Sequence, residues 1–202
     1  MWITTLTGLV ALGISLYNFA VLQGAPDVDV ALPRLVRIEP RAPGDAVHLF
    51  LQPTLSIRRK SESIEVVTDA QLGLRPAEPT TPRPEFYWLD FGNYVYDFEA
   101  NSDHWEKSGD PTPILVGQER PSLSTFNFNA DRWSFRPGRY AGSLVLRRSG
   151  GPPLTAKFCL LVSDDDVRRF KESPERTAFT FRNDVPGTSA VTRNPGCYSS
   201  VL

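Results

Sequence analysis

Residues 139–163 read RYAGSLVLRRSGGPPLTAKFCLLVS, two runs of alternating apolar and polar positions joined by a break rich in glycine and proline. In the first run Tyr140, Leu144 and Leu146 share one side; in the second Leu154, Ala156, Phe158, Leu160 and Val162 do so. A period of two puts apolar side chains on one face of a pleated strand and leaves the other face to polar groups. Ser149-Gly150-Gly151-Pro152-Pro153 supplies the turn chemistry between them. The stretch predicts a β-hairpin and sets the class of the chain as mainly β.

Working outward, the same period recurs. Downstream, RTAFTFR at 176–182 alternates through Phe179 and Phe181. Between this strand and the hairpin, Ser163 stands three residues before Asp166, with acids first and bases last. That is the pattern of one short capped helix near 164–172, arranged to suit its dipole. Consecutive side chains diverge, so Asp164-Asp165-Asp166 reads as capping and not as a cation site. Upstream, AVHLFLQPTLSI at 46–57 places Val47, Leu49, Leu51, Leu55 and Ile57 together. SIEVVTDAQLGL at 63–74 does the same for Ile64, Val66, Ala70, Leu72 and Leu74. These two predict a long hairpin across Arg58–Glu62, with Pro53 marking an edge or a bulge because it lacks a backbone donor. The proline-rich run RPAEPTTPRP at 75–84 predicts an extended crossover within one domain.

One local resemblance bears on architecture. FRPGRYAGSLVL at 135–146 is similar to the Pro-Gly-x-Tyr approach to a late strand in fibronectin type III and other immunoglobulin-like sandwiches. The resemblance implies that Tyr140 sits at a sheet corner and bonds back to the backbone. It covers about a dozen residues and lacks the Cys–Trp–Cys pattern of true immunoglobulin domains, so it carries no function with it. The expected fold is an immunoglobulin/fibronectin-III-like β-sandwich behind one N-terminal transmembrane helix.

That helix is read from MWITTLTGLVALGISLYNFAVLQGAP, which has no charged side chain before Asp27. As a helix at about 1.5 Å per residue, Trp2 to Leu22 would run roughly 30 Å, the thickness of a bilayer's hydrocarbon. A basic leading region and a convincing cleavage site are missing, which favours an uncleaved membrane anchor through residues 2–22 over a secretion signal. Trp2, Tyr17 and Phe19 suit interfacial belts, and Arg34, Arg37 and Arg41 after the span place the domain on the cytoplasmic side. Thr4, Gly8, Ala11 and Ser15 share a helix face with Asn18 and would permit a weak homodimer. The expected divisions are 1–24 anchor, 25–44 juxtamembrane segment and first strand, 45–183 sandwich, and 184–202 tail. The tail ends in Ser200-Val201-Leu202, similar to ligands of PDZ domains, and otherwise reads as frayed.

Composition narrows the function. Of the 22 basic residues only Lys60, Lys107, Lys157 and Lys171 are lysine, and the net charge is −1, so nothing suggests a basic stripe for nucleic acid. Two cysteines make neither a disulfide framework nor a metal cluster. Cys159 reads as a small buried hydrophobe, and a bridge to Cys197 is left open. No cofactor or metal site is expected.

Two stretches remain as candidates for chemistry. EFYWLDFGNYVYDF at 85–98 reads as two strands about Gly92-Asn93 with aromatic residues on both faces. Trp88, Tyr94 and Tyr96 are the candidate contact residues, since aromatic faces join apolar area to polar edges. NSDHWEKSGD at 101–110 gathers Asp103, His104, Glu106 and Asp110 in an expected loop, with His48 as the other histidine, and no two histidines stand at ligand spacing. The reading is therefore a non-enzymatic, single-pass membrane-anchored interaction or scaffold module with an unidentified protein partner. The alternatives are a surface-exposed carbohydrate-binding domain and, third, a small hydrolase using His104 and Glu106 with Asp103.

Overall fold

The structure is a computed structural model that describes residues 2–24, 26–41, 46–59, 64–78, 82–97, 99, 102–117, 121–173, 177–184 and 197–200. After helix α1 (Trp2–Gln23) come β1 (Asp27–Ala31), β2 (Leu35–Pro40), β3 (Ala46–Leu51), β4 (Thr54–Arg59), β5 (Glu65–Pro76), β6 (Tyr87–Asp97) and β7 (Ser102–Gly109). The chain continues through β8 (Ile114–Val116), β9 (Ser122–Leu123), β10 (Thr125–Asp131), β11 (Gly138–Arg148), β12 (Leu154–Val162), α2 (Asp164–Glu172), β13 (Phe179–Arg182) and β14 (Cys197–Ser200). The fold is mainly β. The hairpin at 139–163 forms as expected, β11 pairing β12 antiparallel with Tyr140 opposite Leu160 and Leu146 opposite Leu154.

Among the described residues, eleven strands join in one curled sheet of order β7-β6-β10-β3-β2-β13-β14-β12-β11-β5-β8, and β1-β4-β9 form a small second sheet. Leu72, Leu74, Leu144, Leu146 and Leu160 from one arm share a single apolar core with Val36, Ile38, Leu49, Phe126, Phe128 and Phe181 from the other. Pro53 falls in the gap between β3 and β4, and those two strands belong to different sheets. The expected hairpin of β4 with β5 is therefore not formed: β4 pairs β1 and β9, while β5 lies between β11 and β8.

Tyr140 holds the corner that the local resemblance implied. Its hydroxyl donates to the Arg136 carbonyl at 2.8 Å and accepts from the Arg136 N–H at 3.0 Å. Helix α2 also forms where expected: the Ser163 hydroxyl accepts from the Asp166 N–H at 3.1 Å, and the Asp166 carboxylate accepts from the Ser163 N–H at 2.8 Å. This reciprocal cap satisfies two otherwise orphaned donors, and the helix seats Phe170 against Phe135, Phe179 and Phe181.

The stretch expected as a tail contains β14, which lies inside the main sheet between antiparallel β13 and parallel β12. There Cys197 is joined to Cys159 by a disulfide, and Tyr198 is fully buried with its hydroxyl donating to the Pro33 carbonyl. Burial pushes that phenol up to about 12. A buried ion pair ties the far arm together: Arg148 Nη1 donates to Glu65 at 2.9 Å and to the Pro26 carbonyl at 3.0 Å. Glu65 Oε1 also accepts from the Gly150 N–H at 2.9 Å.

The N-terminal expectation needs correction. No helix among the described residues is long and apolar enough to cross a membrane, which removes the single-pass anchor through residues 2–22 and the cytoplasmic orientation inferred from Arg34, Arg37 and Arg41. Thr7, Ser15, Asn18 and Gln23, with Gly8 and Gly13, interrupt the apolar run. The helix forms, but its Leu9, Leu12, Leu16, Tyr17 and Phe19 are exposed and none of its described side chains joins the core. In the expected stripe Gly8, Ala11 and Ser15 are likewise exposed. Phe98 and the Val201-Leu202 ending lie outside the described residues.

Candidate functional site on a concave sheet face

Alternation along β10 divides it in two: Phe126, Phe128 and Ala130 enter the core, and Thr125, Asn127, Asn129 and Asp131 face the other way. Register carries this second face across the sheet. Asn129 stands opposite His48 and Tyr87, and His48 in turn opposite Glu39; Asn127 stands opposite Phe50 and Asp90, and Phe50 opposite Arg37. The result is a polar row, and Glu39, His48, Asp90, Asn127 and Asn129 in it are all buried.

A curl in the sheet accounts for that burial. Strands β2 and β7 are four places apart, about 19 Å in a flat sheet at roughly 4.8 Å per strand. Yet Arg37 of β2 reaches Asp103 of β7 with Nη2 and Oδ2 at 2.7 Å. The Arg37 guanidinium also lies 4.3 Å from the Tyr94 ring centroid. Phe50 meets Tyr94 at 5.0 Å and Trp105 at 4.8 Å between centroids. The β6–β7 ribbon thus arches over β3 and β2, with aromatic rings as its inner lining. Gly92 permits the close approach, because a Cβ there would collide with the Glu106 carbonyl oxygen and stand 2.9 Å from the Trp105 ring.

Some groups beneath the arch are paired. His48 Nδ1 and Asn127 Oδ1 are 3.0 Å apart, and the Asn129 amide donates to Tyr87 Oη at 2.6 Å and to Asp131 at 2.7 Å. Burial lowers the His48 pKa below its ordinary value, opposed by its bond to Asn127; burial likewise raises the Tyr94 phenol. Others are not paired. Glu39 Oε1, Asp90 Oδ1, Asn129 Oδ1, Tyr94 Oη and Trp105 Nε1 are shielded from solvent and make no hydrogen bond among the described residues. Glu39 Oε1 lies 3.2 Å from the Arg41 guanidinium, a contact of charge without hydrogen-bond geometry. A buried polar atom left unpaired costs about 1–3 kcal/mol, so the four on this face without any partner rival the net stability of a whole domain. Such a face calls for an occupant, water or ligand. Beside it opens a cleft of about 350 Å³ lined by Arg37, Phe50, Asn93, Tyr94 and Thr125, among others.

The aromatic stretch behaves differently from its expected form. Strand β6 runs unbroken from Tyr87 to Asp97, without a turn at Gly92-Asn93. A bulge in its pairing with β10 lies between Trp88 and Asp90. Trp88 packs on Phe126, 5.1 Å between ring centroids, on the core side, and its Nε1 donates to the Asp90 carbonyl at 2.9 Å. Tyr94 lies beneath the arch, and Tyr96 is exposed further along the same strand. The three candidate contact residues therefore do not converge: Tyr94 and Tyr96 share a strand face, and Trp88 points the other way.

Asp103, His104 and Glu106 lie on β7 and not in a loop. His104 Nε2 is 3.1 Å from Glu106, both exposed, while Asp103 belongs to the opposite strand face with Trp105 and is engaged by Arg37. Asp110 pairs with Lys107. Motif and composition do not mark Arg37, Glu39, Asp90, Trp105, Asn127 or Asn129 as site residues. The signal that could find them is the alternation of polar positions in TFNFNAD at 125–131. No protein family matches this chain, and no curated protein matches it significantly in sequence.

Proposed function

We propose that the chain is a non-catalytic recognition domain, built on an immunoglobulin-like sandwich plan, that works in an oxidising compartment. The observation that carries it is the concentration of unpaired, shielded hydrogen-bonding atoms under aromatic rings on one curved sheet face. Recognition asks for shape and fixed donors and acceptors, and that face supplies them. Hydrolysis asks for a base held by a third group and aimed at a nucleophile or water; the His104–Glu106 pair is solvent-facing and parted from Asp103 by the strand itself. The Tyr140 corner supports the sandwich plan. The Cys159–Cys197 bridge supports the compartment, because reducing surroundings keep such thiols open.

The test is retention of polysaccharide and protein pools from the source cell envelope on the immobilised full chain, comparing wild type with Tyr94→Ala and Tyr96→Ser. Saturable retention that falls in a variant whose melting is unchanged supports the reading. Retention that is absent, or equal in wild type and both variants, rejects it. In the same preparation, Cys159 and Cys197 are expected to resist maleimide until reduced.

A further inference from the structure

The unpaired atoms differ in kind, and the difference says what would satisfy them. Asp90 Oδ1 and Asn129 Oδ1 are acceptors in need of a donor; Trp105 Nε1 is a donor in need of an acceptor; Tyr94 Oη can do either. Asp90 and Asn129 are only 7 % and 4 % exposed, so bulk water does not serve them. Hydroxyl groups both donate and accept, and a set of them on one small molecule matches this mixture. An anion would face Glu39, Asp90, Asp103 and Asp131, while a cation would compete with Arg37 and Arg41, which already hold Asp103 and Glu39.

Size and stacking point the same way. Asp90 and Asn129 lie on neighbouring strands two register positions apart, roughly 8 Å at about 4.8 Å between strands and about 3.4 Å along them, the span of one or two sugar rings. Tyr94 and Phe50 border both the row and the neighbouring cleft, and aromatic faces pack against the C–H faces of sugar rings. We infer that the cleft beside Tyr94 and the polar row behind it form one binding site for a neutral, hydroxyl-rich ligand of mono- or disaccharide size. This inference rests on the recognition reading above and names its ligand class.

The experiment titrates the full oxidised chain with glucose, galactose, mannose, N-acetylglucosamine and cellobiose, read by tryptophan fluorescence and by calorimetry. Saturable binding of at least one sugar is expected. Trp105→Phe, which removes the indole donor, and Asp90→Asn, which replaces an acceptor by a donor, should each weaken binding about tenfold with melting unchanged. If either variant fails to fold, the other decides. No saturable signal from any of the five sugars overturns the inference, as does unweakened binding by the folded variants. Should the sugars fail while the chain still retains an envelope protein in a Tyr94- or Tyr96-dependent manner, the ligand class falls and the recognition reading stands. Failure of both experiments removes both.

Discussion

His48 shows how a single side chain can report on the concave face. Its neighbours there are Asn127, Glu39, Asp90 and Arg41, and burial holds its pKa below the ordinary value near 6.5. The folded state therefore stays neutral at pH values where the unfolded chain has already taken up a proton. Above about pH 6.5 neither state is charged and the group contributes no pH dependence. As pH falls below that value the unfolded state gains, and stability drops until the depressed folded pKa is passed. The slope for one proton is at most about 1.4 kcal/mol per pH unit. Urea unfolding of wild type and His48→Gln between pH 7.5 and 5 should show the wild type losing this extra stability, so the gap between the two changes with pH. Parallel pH profiles would mean that His48 titrates alike in both states. At Gly92 a methyl group meets the Glu106 carbonyl and the Trp105 ring. Gly92→Ala should thus lower the melting temperature and diminish the near-ultraviolet circular dichroism of the packed Tyr94, Phe50 and Trp105 rings.

Among the elements, those governed by neighbours in sequence are legible from the residues alone. The β11–β12 hairpin, the capped helix α2 and the Tyr140 corner each depend on residues a few positions apart, so turn chemistry, capping rules and alternation suffice. Elements whose partners are remote are not legible in this way. The stretch that forms β6 reads as two strands because Gly92-Asn93 is a dipeptide that often turns; here the glycine serves the approach of β7. Likewise β4 and β5 alternate as hairpin arms would, but their partners are β1 and β11. The concave row is half legible: alternation in β10 separates Asn127 and Asn129 from Phe126 and Phe128. What lies opposite them is a matter of register with β3 and β6, and alternation within one strand does not encode it. Two predictions belong here. Removing residues 1–24 should leave the melting temperature within about 2 °C, since no described side chain of α1 joins the core and surface changes are usually worth under about 0.5 kcal/mol. Arg148→Ala, by contrast, strands the fully buried Glu65 and should cost about 3–5 kcal/mol in denaturant unfolding.

At the scale of the molecule, the sheet has one join on which its integrity depends. Among the described strands, the arm β7-β6-β10-β3-β2-β13 is hydrogen-bonded to the arm β12-β11-β5-β8 only through β14. Two pairs of residues align with β13 and two with β12, which is little hydrogen bonding for a position so central. The Cys159–Cys197 bond, closing a separation of 38 residues, compensates by restricting the unfolded chain, an effect of about 3–4 kcal/mol. Replacing both cysteines with alanine should reduce stability by about that amount. Hydrogen exchange in the variant should quicken first at Phe181, Leu160 and Tyr198, while the β5–β11 ladder stays protected.

The position of β14 also has a consequence for how the protein is made. This strand is synthesised after every other described strand, so the two arms can each collapse during translation while the slot between them stays open. Cys159 then waits as a free thiol on an unfinished edge, and both β12 and β13 present unpaired backbone to any passing strand. Until Cys197 emerges the slot between β12 and β13 has no strand to fill it, and the pairing of this sheet is completed only when Cys197–Ser200 enter it.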